Sequence, residues 1–207
     1  MRIVNRKPMI YWVLRRVIEV GLYDGIILAL PNKKKDKLVS SYVKKIFPKV
    51  LIYFGSENNV LDRYYRAAKK FKADIISRVT ADDPLKDIKI MRKSLKYFIN
   101  SNLDYYSNTI KQSYPLGLDI EHFKFNVLKL LKKKAKSNYD REHVTSFIKS
   151  NQNLFKLKNF CIKKDLSNIR FTVDTLKDLK QIRKIYKYLN NDLYINYITI
   201  IKNFKLR

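Results

Sequence analysis

Ala73-Asp74-Ile75-Ile76-Ser77-Arg78-Val79-Thr80-Ala81-Asp82-Asp83-Pro84-Leu85 is the stretch on which the reading of this chain turns. Its apolar start reads as a buried strand, and a helical pattern opens near Asp87. Polar residues and two adjacent carboxylates therefore fall where a strand ends and the chain turns. In open α/β sheets that edge is where ligands bind. A carboxylate fixed there can hold a hard cation against phosphate oxygens. Asp before Pro is also an ordinary turn signal, so the residues alone leave both readings open.

Upstream, residues 8–20 read as a helix, with Pro8 in its first turn and Gly21 at its end. Met9, Val13, Val17 and Val20 form its apolar stripe, with Arg15, Arg16 and Glu19 largely off it. Residues 25–30 read as a strand buried on both faces, closed by Pro31-Asn32. A lysine-rich helix over 34–47 turns Leu38, Tyr42, Val43 and Ile46 inward, and a strand over 50–54 ends at Gly55-Ser56. Helices over 59–68 and 87–101 flank the opening stretch. Short apolar strands alternating with longer helices predict βαβ units and a parallel sheet.

Downstream the pattern changes. A short strand at 105–109 leads into Tyr114-Pro115-Leu116-Gly117-Leu118-Asp119-Ile120-Glu121, followed by helices at 125–136 and 140–150. Residues 154–162 and 169–173 are strand-like. Asp174 or Thr175 then caps a helix running to about 190, and the tail, 191–207, adds a short terminal helix. Asp174 repeats the logic of Asp82: a carboxylate just past a strand, at the start of a helix. Two such carboxylates could converge on one Mg²⁺, while a capping Asp needs no other purpose.

Composition narrows the classes. With 46% hydrophobic and 13% aromatic residues over 207 positions, the chain can fill a substantial core. Cys161 stands alone and forms no internal disulfide, so a reducing compartment, the cytoplasm, is the expected location. No apolar run approaches the ~18 residues of a membrane span. Residues 1–17 lack a small-residue cleavage site, and Arg15-Arg16 interrupt their apolar stretch, so no signal peptide is expected there. The loudest feature is charge, 45 Lys+Arg against 18 Asp+Glu, net +27. The cations are mostly lysines scattered along every segment, and Lys, Asn, Ile and Tyr abound while Gly (4) and Pro (5) are scarce. That is the mark of AT-rich coding more than of a polyanion partner, and no helix-turn-helix, zinc or aromatic RNA-recognition motif accompanies it.

An ordered set of motifs carries a resemblance. Gly55-Ser56-Glu57-Asn58-Asn59-Val60-Leu61-Asp62-Arg63-Tyr64-Tyr65, Arg78-x-Thr80-x-Asp82-x-Pro84, Ser107-Asn108-Thr109, Tyr114-Pro115-x-Gly117-Leu118-Asp119-x-Glu121, Arg141-Glu142-His143-Val144-Thr145 and Thr172-Val173-Asp174-Thr175 occur in that order. Over about residues 5–190 the chain resembles the cytidylyltransferases, most of all their spore-coat-polysaccharide branch, relatives of the enzymes that make CMP-Kdo and CMP-sialic acid. The resemblance implies a three-layer α/β/α nucleotide-diphospho-sugar transferase fold with a Rossmann-like, mainly parallel sheet. It implies CMP transfer from CTP to a sugar or sugar acid, with release of pyrophosphate and help from Mg²⁺. By the same match Asp82 and Asp174 are the catalytic metal carboxylates, and Arg63 and Arg78, with Asp82, lie on the nucleotide side. Tyr114, Glu121, Arg141 and His143 fall in the sugar-side wall and in a dimerisation arm of about 107–150. A single domain over 1–190 and a homodimer are expected.

One departure is serious. Family members begin with a strand and a loop like Ala-Arg-x-Gly-Ser-x-Arg-Leu-Pro-Gly-Lys, whose amides and cations hold the triphosphate. Here Ile3-Val4-Asn5-Arg6-Lys7-Pro8-Met9 matches the segment after that loop, and none of Gly21, Gly25, Gly55 or Gly117 builds one. The expectation is that Met1 is internal to a longer protein, and that these 207 residues turn over weakly or not at all. The absent strand is central in the family's sheet, so its neighbours should show unpaired edges or close on each other. The competing readings are a non-catalytic sugar-nucleotide-binding or assembly homologue, and a basic nucleic-acid binder.

Overall fold

The computed structural model describes residues 1–206. The chain opens with a two-residue hairpin, β1 (Ile3–Val4) and β2 (Lys7–Pro8), and runs into α1 (Met9–Glu19). Then come β3 (Ile27–Pro31), α2 (Lys34–Ile46), β4 (Leu51–Gly55), α3 (Val60–Lys70), β5 (Ile75–Arg78) and α4 (Ile88–Ile99). The second half holds β6 (Tyr105–Ser107), β7 (Glu121–Lys124), α5 (Phe125–Lys134), α6 (Asn138–His143), α7 (Ser146–Ser150), β8 (Leu157–Asn159), α8 (Leu176–Leu189) and α9 (Tyr197–Phe204). Arg207, the last residue of the tail, lies outside the described residues. Caps set several helix starts: Asn59 accepts from Asp62 N, Asp87 from Ile90 N, and Thr175 forms a capping box with Asp178.

The strands form a four-stranded sheet in the order β5-β7-β6-β8 and a separate parallel pair, β3-β4. β6 and β8 run parallel, while β7 is antiparallel to both β5 and β6. β7 was absent from the sequence reading because its inward residues, Glu121 and His122, are ionisable yet only 3% and 1% exposed. No hydrogen-bonded ladder joins β3 to β5, so both facing edges stay open. Between them lies an apolar cavity of about 190 Å³, lined by Val13 and Val17 of α1, Ala68 of α3, Ile27 and Ile76. Of the two expectations for these neighbours, the unpaired edges are what the fold shows. Residues 27–29 are correspondingly half-buried, not sealed on both faces.

The largest core joins α1, α4, α8 and α9 to the segments 114–120 and 166–173. A second packs α3 and α5 onto β6 and β7. Several expected details need correction. Leu38 and Ile46 face solvent, at 68% and 39% exposure, because α2 covers the sheet mainly through Val43. The helix expected over 140–150 breaks at Val144, whose φ of 58° no continuous helix accommodates, giving α6 and α7. Strand pairing over 154–162 shrinks to β8, and 169–173 contributes a single bridge, Leu116 to Arg170. Arg16 is 1% exposed: its Nη1 donates to Lys86 O and Leu193 O, and its Nε to the Tyr186 hydroxyl. Within the stretch 107–150, β7 and α5 are built into the sheet and the second core, whereas α6 has no buried residue.

Candidate active site

A cavity of about 360 Å³ opens where β5 and β7 meet the segments 116–119 and 170–174. Four of the expected site residues line it: Arg78, Asp82, Glu121 and Asp174. Five carboxylates face three cations there, since Asp83 and Asp119 join Asp82, Glu121 and Asp174 opposite Arg78, Lys86 and Arg170. On a chain of net charge +27, this is a locally acidic site.

One wall carries Asp82 and Asp174. Val173 N donates to Asp82 O at 2.9 Å, so the two strand-end segments are tied by their backbones. Burial pushes the Asp82 carboxyl above the usual carboxylate range, and the negative charges of Asp83 and Asp174 push it further in that direction. Asp174 has no capping duty, because Thr175 caps α8 and Asp178 completes the box. Its Oδ2 lies 2.5 Å from Arg170 Nη2, and Arg170 Nε reaches Asp178 Oδ1 at 3.2 Å. Asp83, beside Asp82, is not a free turn residue. It is 4% exposed, accepts from Thr80 Oγ1 at 2.6 Å and pairs with Lys86 Nζ at 2.9 Å.

The opposite wall is built round a buried ion pair. Glu121 Oε2 takes Arg78 Nη1 at 2.6 Å, and Oε1 accepts from the Tyr105 and Thr145 hydroxyls, each at 2.6 Å. Burial alone would raise the Glu121 carboxyl; Arg78 and the two hydroxyls outweigh it and hold it below its ordinary value. Behind it, His122 sits between Ser77 Oγ (2.7 Å from Nδ1) and Ser94 Oγ (2.9 Å from Nε2), and burial lowers its pKa to about 4. The imidazole is thus neutral and joins β5, β7 and α4.

Four expected residues lie outside the cavity. Arg63 turns to the loop after β4, where its Nη1 donates to Ser56 O and its methylenes pack against Gly55. Tyr114 is 8% exposed among Phe160 and Tyr197, and burial pushes its hydroxyl up to about 12. The ring lies in the core and does not line this cavity. Arg141 and His143 are exposed on α6, with His143 against Tyr139 at 4.3 Å.

Sequence reasoning missed Lys86 and Arg170 as wall residues, two cations among 45 with nothing in their spacing to single them out. It named Gly117 only within a motif. Gly117 has φ +96°, and a Cβ there would stand 2.6 Å from Thr172 N, so only glycine lets segment 116–118 lie against 171–172. Its rarity, one of four glycines, was the available signal.

The donor set suits a hard divalent cation. Asp82 and Asp174 offer carboxylate oxygens, and the carboxylates crowded round Asp82 disfavour its charge in a way that a cation would relieve. Among the described residues no group of three or more His, Cys, Asp or Glu side chains forms a complete metal cage. Mg²⁺ needs none, because it keeps waters and takes substrate phosphates.

Comparison with known proteins bears on the fold and the family. The chain is 37% identical over 186 residues to an uncharacterized protein of Methanocaldococcus jannaschii, covering 87% of this chain and 74% of that one. It is 26% identical over 183 residues to the spore coat polysaccharide biosynthesis protein SpsF of Bacillus subtilis, covering 84% and 74%. The solved structure of a cytidylyltransferase from Leptospira borgpetersenii superposes with a TM-score of 0.91 at 26% identity, over 98% of this chain and 85% of that one. A CMP:2-keto-3-deoxy-manno-octonic acid synthetase complexed with CTP shares the fold, with a TM-score of 0.67 at 14% identity over 90% of each chain. The nucleotidyltransferase α/β fold is therefore established. With the cytidylyltransferase family profile matching residues 1–201, the chain belongs to the cytidylyltransferase family.

Proposed function

We propose that this chain transfers CMP from CTP to the hydroxyl of a sugar or sugar acid, releasing pyrophosphate, in the synthesis of a surface polysaccharide. The observation that carries the reading is the acidic cavity at the strand ends, with Asp82 and Asp174 in one wall. Those two would hold Mg²⁺, which when bound neutralises phosphate oxygens and orients the α-phosphate for in-line attack. Glu121 fixes the Arg78 guanidinium at the cavity edge, pre-paired and immobile, so it needs no reorganisation on binding. Gly117 brings a bare backbone to the cavity wall, and Lys86, through Asp119 O at 2.5 Å, holds that same loop in place.

Residues 1–190 would act as one catalytic domain in the cytoplasm. The unburied α6, with Arg141 and His143, is the part of 107–150 open to contact a second copy in a homodimer. Each cation in the cavity already faces a carboxylate: Arg78 Glu121, Lys86 Asp83, and Arg170 Asp174. Among the described residues the cavity thus offers no unpaired cation to a triphosphate, and we expect these 207 residues alone to turn over weakly. Pyrophosphate release from CTP and candidate sugars, measured with and without Mg²⁺, tests both statements. Robust turnover would refute the second, and Mg²⁺-independent turnover that survives Asp82→Asn would refute the metal assignment. Stable dimers without CTP·Mg²⁺ binding would favour the non-catalytic assembly reading.

A further inference from the structure

We propose that a second, basic cleft, separate from the candidate active site, binds a multiply charged phosphate anion. It has a volume of about 820 Å³ and lies between the β1–β2 hairpin, α1 and the C-terminal end of α8. Five cations line it, Arg6, Lys7, Arg15, Arg183 and Lys187, and no carboxylate does. Among the described residues none of the five is in an ion pair. Asp192, the acid nearest in sequence to the α8 end, turns its Oδ1 to Tyr194 N at 2.8 Å. No residue of this cleft also lines the acidic cavity.

Composition alone does not produce such a site. Unpaired cations are common on this chain, since among the described residues seven lysines and arginines form ion pairs, Lys132 with Asp62 for one; what sets this cleft apart is that its cations converge with no acid among them. Here the cations are drawn together against their own repulsion. Lys7 Nζ and Arg15 both lie over the Tyr11 ring, at 5.6 and 6.0 Å from its centroid. Arg6 occupies the second position of the hairpin turn at φ 62°, after Asn5 at φ 41°, a place where glycine is favoured. A second left-handed pair, Asn190 and Asn191, follows α8, and Asn5 Nδ2 bonds Asn191 Oδ1 at 3.2 Å, locking the two turns together. Arg183 Nε donates to Ile3 O at 2.9 Å, which fixes its guanidinium at the cleft. Convergent, uncompensated cations, three of them held by Tyr11 or Ile3 O, favour a compact polyanion over a single charge. Because Tyr11 is already covered by cations, its face is not free for a nucleobase. The ligand is recognised through its phosphates, whether free or on a nucleotide.

Trp12, the single tryptophan, lines the same cleft and reports on it. The test is a titration of the full chain with sodium tripolyphosphate in low-salt buffer without Mg²⁺, following Trp12 fluorescence and heat of binding. We expect a saturable response. It should weaken by about tenfold or more in the double variant Arg6→Ala/Lys187→Ala, two exposed residues, and stay unchanged in Asp82→Asn. CTP that gives the same Trp12 response identifies a nucleotide's phosphates as competent. CTP that gives none while tripolyphosphate binds identifies free oligophosphate as the source. No saturable response, a response unaffected by the double variant, or a response to cytidine alone overturns the proposal. So does binding only to oligonucleotides, tightening with their length, which would mark a nucleic-acid surface instead.

Discussion

Two clefts on this molecule have opposite charge, and neither could be located from the net charge of +27. In the candidate active site carboxylates outnumber cations, and every cation is already paired. In the cleft beside the hairpin there are only cations, and none is paired. The difference shows that local pairing, more than the total count of charges, decides what a surface can accept. On the function proposed above, the acidic cavity would take a divalent cation first and an anion through it. The basic cleft can take an anion directly.

The sharpest way to break this comparison is at Asp82. Asp82→Asn should lower Mg²⁺-dependent pyrophosphate release by about a hundredfold or more, if the carboxylate holds the ion that stabilises transferring charge. Unchanged turnover would remove the reason for calling the cavity catalytic.

Next comes the pre-paired wall. Glu121→Gln leaves the Arg78 guanidinium largely buried without its counterion, and should cost about 3 kcal/mol of stability in urea unfolding. A loss below about 1 kcal/mol would mean that water enters this wall freely.

The third test uses pH. The His122 imidazole is buried and neutral, and its pKa in the folded chain is about 4. Unfolded, it takes up a proton near pH 6.5, so stability should fall as pH drops from there toward 4 and be indifferent to His122 above that window. The full effect approaches about 3 kcal/mol, and His122→Gln should flatten this part of the curve. Glu121 and Asp83, held below their ordinary range, add a further loss as pH falls through their folded values, beneath the unfolded carboxylate pKa.

The smallest effect is at Arg170. Its pair with Asp174 is exposed, so Arg170→Ala should change stability by less than about 1 kcal/mol. By removing a cation from the acidic cavity it should tighten Mg²⁺ binding a few-fold, read by calorimetry, while leaving the Trp12 response to tripolyphosphate unaltered. Weaker Mg²⁺ binding would show that Arg170 orients Asp174 rather than competing for it.

These residues also mark the limit of what the sequence revealed. The first half was legible, because β3, β4 and β5 are short apolar runs between capped or amphipathic helices. β7 was not, since a strand that buries Glu121 and His122 violates apolar alternation and is stable only through partners far away in sequence: Arg78, Tyr105, Thr145, Ser77 and Ser94. Asp82 and Asp174 could be singled out because a carboxylate at a strand end is a positional signal. Lys86 and Arg170 became visible only when folding set them against acids. That Tyr114 lies outside the cavity was hidden for the same reason: a motif gives proximity in the chain, while the ring packs against Phe160 and Tyr197.

The buried Arg16 has a consequence for the order in which the molecule is completed. Made 170 residues or more before these partners, it waits for Leu193 O, and for Tyr186, whose hydroxyl also holds Pro84 O at 2.6 Å. A nascent chain emerging from its N-terminus first therefore cannot lock the turn that carries Asp82, Asp83 and Lys86 until residues 186–193 are out. The same late residues close the main core, through Ile185, Tyr186, Leu189 and Leu193, so the turn with its carboxylates and the layer beneath it are completed together.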